Sequence, residues 1–382
     1  MAKAENVGAI FFTLAVLGLI LGGGYMLYQK NKPEDPAQKV QDLYTQGRRA
    51  LNATQYQASV NTLTEAIELD PDRHDAYRVR GEALAWLGDH YGAIHDFTVA
   101  INGGLADADT YFRRGQASQA VDQLEDAKSD FKIVLELEPD HRRSHQELGE
   151  LCLELGQFEL AGEYLREAVA RVPSAASAWR TLGWSSWGIQ RYDDAIESFS
   201  KAIEEDEFNL NGHLGRGVTR VFMGRFEESL TDLKHATSSS QQRTDYAHFF
   251  LYLTRLRLGL DDAASQTLRA HKSSRRPDSG ADWPGSVTEF LLGEMTEEQL
   301  LERINETGSM PDPLIAVEGY YYIAMMRMFA GDEAGAIEAF RRSLDTKVYH
   351  YYEYHASQAE LNRLGASAND VLPRHGSEDE EQ

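Results

Sequence analysis

The chain has 382 residues, 42% hydrophobic and 26% charged, a globular composition long enough to bury a sizeable core in one large domain or two. Its 61 acidic and 38 basic residues leave a formal charge of −23, which disfavours nucleic acid as a partner because too few cations are present to displace phosphate counterions. The single cysteine, Cys152, excludes an internal disulfide, a cysteine metal knuckle and a lipid-bearing cysteine near the N-terminus.

After a short tail, residues 1–6, the run Val7 to Tyr28 carries 22 residues without a charge, between Glu5 and Lys30. As a helix it would be about 33 Å long, enough to cross the hydrocarbon core of a bilayer. No small-x-small cleavage site separates it from Lys30, so the reading is an uncleaved transmembrane anchor and not a signal peptide. Lys30, Lys32 and Lys39 on the trailing side, against Lys3 on the leading side, lean towards a cytoplasmic body. Residues 29–39, with Pro33 and Pro36 among mixed charges, read as a semi-rigid linker.

From about residue 40 the pattern changes. Gly47, Gly81, Gly115, Gly149, Gly183 and Gly217 recur every 34 residues without an insertion. In the same phase stand Ser59, Ala93, Ala127, Ala161, Ala195 and Ser229, then Ala66, Ala100, Val134, Ala168, Ala202 and Ala236. Small residues at fixed places let two helices approach closely, and large ones between them, such as Phe97, Phe131, Leu165 and Phe199, fill the space at helical spacing. Trp179, Leu182 and Gly183, then Ala93 with Phe97, Ala127 with Phe131 and Ala195 with Phe199, then Pro71, Pro139 and Pro173, resemble the W-x2-L-G, A-x3-F and closing-proline pattern of the tetratricopeptide-repeat (TPR) family. The resemblance implies an all-α superhelical solenoid of helix-turn-helix units: six contiguous repeats over 40–243, with a degenerate seventh over 244–272.

Residues 273–312 read as a polar loop and two short helices, with Pro284 suited to a first helical turn and Thr296 and Gln299 offering a capping box. Residues 313–365 then hold a final repeat-like unit, with Gly331 and Ala336-x3-Phe340 in the repeat's places, and a helix from about Tyr352 that covers the exposed end. Residues 366–382 are an acidic tail expected to be disordered. Trp283, Pro284, Gly285, Phe290, Gly293, Tyr352, Glu353, Tyr354, Ala356, Glu360 and Leu361 resemble the C-terminal half of NlpI-type TPR lipoproteins. That resemblance implies a bacterial envelope adaptor for proteases and peptidoglycan hydrolases, and moves the expected location of the body to the extracytoplasmic side of an inner membrane. It departs from the family in carrying an apolar run where the family has a lipidated cysteine.

No Gly-rich phosphate loop, H-E-x-x-H or G-x-S-x-G is present, so the sequence predicts neither an enzyme nor a cofactor site. His141 and His145 share a helical face but lack a third ligand, and read as ordinary polar residues. In the TPR family the first helix of each repeat lines a concave peptide-binding groove. Carried onto this chain, that geometry selects Arg78, Glu82, Trp86, Phe112, Gln116, Arg143 and Gln146 in repeats two to four. In repeats five and six it selects Arg180, Trp184, Trp187, Leu214, Val218, Val221 and Phe222, an apolar patch expected to be open to a partner. The expected partners are extended or helical segments of other proteins, with a homodimer or larger complex as the setting; the alternative is a permanent subunit of a membrane complex, held through the anchor helix.

Overall fold

A computed structural model describes residues 35–238, 244–275, 282–305, 312–348 and 351–366. The apolar run 7–28 and the tail 367–382 lie outside the described residues. Among the described residues there are nineteen helices and no strand, so the all-helical expectation holds. They fall into two compact units that divide between Pro139 and Asp140.

The first unit contains three helix pairs: α1 (Pro36–Asn52) with α2 (Tyr56–Leu69), α3 (His74–Trp86) with α4 (His90–Asn102), and α5 (Ala108–Gln119) with α6 (Leu124–Leu137). The second continues with α7 (Arg142–Glu154) and α8 (Phe158–Arg171), α9 (Ala176–Gly188) and α10 (Tyr192–Glu205), and α11 (Leu210–Phe222) and α12 (Phe226–Ala236). A further pair follows, α13 (Asp245–Arg257) and α14 (Asp261–Ser274), then the short α15 (Trp283–Leu291) and α16 (Glu297–Asn305). The last described helices are α17 (Pro313–Phe329), α18 (Glu333–Asp345) and α19 (Tyr352–Arg363).

The 34-residue period has a direct steric cause. A Cβ added to Gly47 would lie 2.5 Å from Leu63, one at Gly115 2.8 Å from Phe131, and one at Gly183 2.6 Å from Phe199. Each glycine thus seats the bulky residue sixteen positions on, which is fully buried in all three cases, and any side chain there would force the helix pair apart. The turn between paired helices is equally regular. Thr54, Gly88, Asp122, Gly156, Gln190 and Gly224, again 34 apart, all adopt left-handed backbone with φ between 58° and 84°. That conformation lets a first helix stop and its second begin within four residues, and it is strained for threonine and glutamine.

A polar ladder follows the same period. Arg80 Nε donates to Asp96 at 2.7 Å, Arg114 to Asp130 at 2.9 Å and Arg216 to Asp232 at 2.9 Å. Each arginine also donates to a hydroxyl sixteen residues back, on Thr64, Thr98 or Ser200. The aspartates are buried, so each bidentate pair joins the two helices of one repeat, and the arginine's bond to the hydroxyl ties that repeat to the one before it.

In the second unit Pro284 lies in the first turn of α15. Thr296 and Gln299 form a reciprocal capping box ahead of α16: the Thr296 amide donates to Gln299 Oε1 at 2.9 Å, and the Gln299 amide to Thr296 Oγ1 at 3.2 Å. One continuous apolar core runs from Trp187 and Phe199 through Phe249, Tyr322 and Phe340 to Leu361.

Candidate peptide-binding surfaces

Along the first unit the helices α3 and α5 carry the predicted inward positions. Trp86 ends α3 and is 67% exposed, its indole stacked on Tyr56 at 5.6 Å and 8°. Beside it lies a cavity of 270 Å³ lined by Glu82, Trp86, His90, Phe97, Arg113 and Gln116. Arg113 faces Glu82 at 3.4 Å and donates to Asp109 at 2.9 Å, while Arg78 lies 3.6 Å from Asp107. Burial raises the Glu82 carboxyl above its ordinary value, against the opposing charges of Arg113 and Arg78. The lining therefore presents an exposed aromatic face, an amide and both signs of charge.

Phe112, expected on the open face, is 5% exposed and tilts against Phe131 at 5.4 Å. Packing within its own helix pair claims the ring, and it offers no surface to a partner. Arg113, which the repeat register did not select, takes the place beside the cavity.

In the second unit Arg143 lies at the start of α7, 3.8 Å from Glu147, and Gln146 donates to Glu150 at 2.8 Å. His141 caps the same helix, its ring nitrogen accepting from the Ser144 amide at 3.3 Å, while His145 is buried. The apolar set on α9 and α11 does converge on one side, but that side is covered. Trp187 is 3% exposed, Val218 fully buried and Phe222 7% exposed, with Trp184, Leu214 and Val221 half-buried against the same core. Arg180 is half-buried near Tyr352.

The cover is α19, the last of the described helices. Tyr352 stacks on Trp184 at 4.7 Å and meets Trp187 edge-on at 5.8 Å; His355 meets Trp187 at 4.6 Å and Phe158 at 6.3 Å. Arg363 Nη2 donates to the backbone carbonyls of Val221 and Phe222, and Glu360 receives Arg257 at 2.7 Å. The open apolar patch expected over repeats five and six is thus corrected to a closed one, and the terminal helix covers that face as well as packing on α17 and α18. The physical reason is area: two indoles and a phenyl ring left in water would each forfeit about 1.5–3 kcal/mol of burial.

Paired helices repeating every 34 residues around glycine-to-aromatic crossings, with one inward face open and another filled, define a helical-repeat binding scaffold. Residues 44–104, 105–174 and 153–209 match the family model described as tetratricopeptide repeat. Residues 44–209 are thus built of tetratricopeptide repeats, and the chain resembles the NlpI-type lipoproteins. Among curated relatives, the lipoprotein NlpI homolog of Haemophilus influenzae is 28% identical over 237 residues, covering 61% of this chain and 73% of that protein. A tetratricopeptide repeat protein of Parabacteroides merdae has a solved structure that superposes with a TM-score of 0.50, at 16% identity, over 67% of this chain and 98% of that one. These matches indicate a protein-binding architecture and no enzymatic family. Among the described residues no helix is long and apolar enough to cross a membrane, and no group of three metal-binding side chains occurs.

Proposed function

We propose that the chain is a membrane-anchored adaptor that holds a segment of a partner protein on the inward face of its first unit. One observation carries this reading: Trp86 is 67% exposed beside a 270 Å³ cavity with arginine, glutamate and glutamine on its walls. An exposed indole at the rim of a cavity with charged and apolar walls, flanked by Arg113 and Arg78, has the composition of an interaction hot spot. The mixed charge suits a peptide with an acidic or carboxylate group beside an apolar side chain, the first meeting arginine and the second the indole.

The uncharged run 7–28 supports attachment to a bacterial inner membrane, and the likeness to an envelope lipoprotein supports a body on the extracytoplasmic side. In that setting the partners are envelope proteases or peptidoglycan hydrolases, brought together by one chain or by a homodimer. The 22-residue run also favours a second reading, a permanent subunit of a membrane complex held by the anchor itself.

Affinity purification of the full chain from its own host tests both. Trp86→Ala with Arg113→Ala should remove the copurifying proteins while leaving the helical circular dichroism unchanged; undiminished copurification would dispose of the first-unit surface. Replacing residues 7–28 by an unrelated membrane helix should leave the same partners bound, and their loss would favour the complex subunit.

A further inference from the structure

Seven carboxylates are buried among the described residues: Asp96, Asp130, Asp232, Asp245, Glu318, Glu353 and Glu360. Five meet an arginine: Asp96 meets Arg80, Asp130 Arg114, Asp232 Arg216, Asp245 Arg275 and Glu360 Arg257. Glu318 on α17 and Glu353 on α19 do not. They are 3% and 1% exposed, and no described lysine, arginine or histidine pairs with either. Glu318 accepts from Tyr246 Oη at 2.9 Å and from Trp283 Nε1 at 2.6 Å, whereas of the described side chains only Tyr322, at 3.1 Å, donates to Glu353. Two buried anions side by side with no countercharge among the described residues are costly, since neutral donors repay only part of the lost hydration.

Both carboxylates line one cavity of 280 Å³, whose other described walls are Tyr246, Tyr351 and Tyr352, all half-buried. The floor is anionic and the rim aromatic. We propose that this cavity is a binding site for an organic cation, an alkylammonium or guanidinium group, held between the Glu318 and Glu353 carboxylates with the tyrosine rings as its walls. Ring faces attract such cations when desolvated, and the cavity has room for about nine water volumes, enough for a basic head group on a short alkyl stem. A hard divalent ion fits worse. It needs six or more oxygen ligands, whereas both Glu318 oxygens already accept from a hydroxyl and an indole.

The site has a pH signature. Burial, and then the partner carboxylate, push Glu353 above the ordinary glutamate value; burial does the same to Glu318, with the charge of Asp312 adding to it. The other titratable groups facing the pair, Tyr246, Tyr322, Tyr351 and Tyr352, are raised by burial and remain neutral. A bound cation favours the ionised carboxylates, so binding should expel protons and tighten as pH rises.

The test is isothermal titration calorimetry of the full chain with agmatine, with butylamine and with the blocked tripeptide Gly-Arg-Gly, at pH 6.5 and 8.5 in buffers of different ionisation heat. The expected result is saturable binding, at least tenfold tighter at pH 8.5, with buffer-dependent heats that report proton release. Response to the small amines alone would assign a free cation, and response to the peptide would assign a basic side chain of a bound polypeptide. Glu318→Gln with Glu353→Gln should lower affinity at least tenfold without lowering the melting temperature, because neutral isosteres remove the uncompensated charge. No binding of any of the three cations by the unaltered chain at pH 8.5 overturns the proposal, as would equal affinity in the double variant.

Discussion

The two units use the same repeat register to build inward faces of opposite character. In the first, the face holds Glu82, Trp86, Arg113 and Gln116, and the indole of Trp86 stays largely in water. In the second, the corresponding helices present Trp184, Trp187, Val218 and Phe222, and the chain's own last helix covers them. An apolar inward face is therefore not by itself a vacant binding site. Where it is rich enough in aromatic area to be costly in water, the chain fills it.

That contrast makes its strongest statement about tryptophan. Trp187→Ala should destabilise the second unit by about 3–5 kcal/mol, the cost of a large ring removed from a closed core, measured as protection against hydrogen exchange in α9, α11 and α19. A loss below 1 kcal/mol would mean that the terminal helix is not seated there. Acid and base should also separate the units. Glu318 and Glu353 hold protons more tightly folded than unfolded, so the stability they lend the second unit is full below the ordinary glutamate pKa and is lost as pH rises through their raised values. The slope reaches about 1.4 kcal/mol per pH unit for each extra proton bound in the folded state. Denaturant melts monitored from pH 4.5 to 8.5 should show it, and Glu318→Gln with Glu353→Gln should flatten it.

Smaller effects follow at the turns and on the open face. Gln190 occupies the left-handed position that glycine holds at 88, 156 and 224; Gln190→Gly should raise stability by about 1 kcal/mol, and a loss instead would mean that its side chain is bonded in the native turn. Trp86→Ala should alter stability by no more than about 0.5–1 kcal/mol, as expected for an exposed side chain, although it should abolish partner capture. A change as large as that at Trp187 would place Trp86 in a core and remove the contrast between the units.

Much of the helical architecture was legible because its cause is local. A glycine opposite a bulky residue sixteen positions on leaves a periodic trace, and Gly47 with Leu63, or Gly183 with Phe199, can be read by counting. The arginine-aspartate ladder left a trace too, Arg80, Arg114 and Arg216 against Asp96, Asp130 and Asp232. Leu148 and Leu182 break it in the middle repeats, which weakens its period. The placement of the last helix was not legible in this way. Its contacts with Trp184 and Trp187 join residues 168 apart, 184 to 352, and such a contact imposes no spacing on either segment. A helix from about Tyr352 that covers the exposed end accounts for the packing on α17 and α18 and leaves its other face unexplained. The pairing of Glu318 with Glu353 was hidden for the same reason, since only tertiary packing brings the two to one cavity.

Site-specific photocrosslinking tests the central claim most directly. A benzophenone amino acid at position 86 and, separately, at position 180 would be irradiated in cells carrying the full chain, and the adducts identified by mass spectrometry. The account predicts partner-protein adducts from position 86, and from position 180 only internal adducts to the segment around Tyr352. Partner adducts from position 180 with none from position 86 would contradict it.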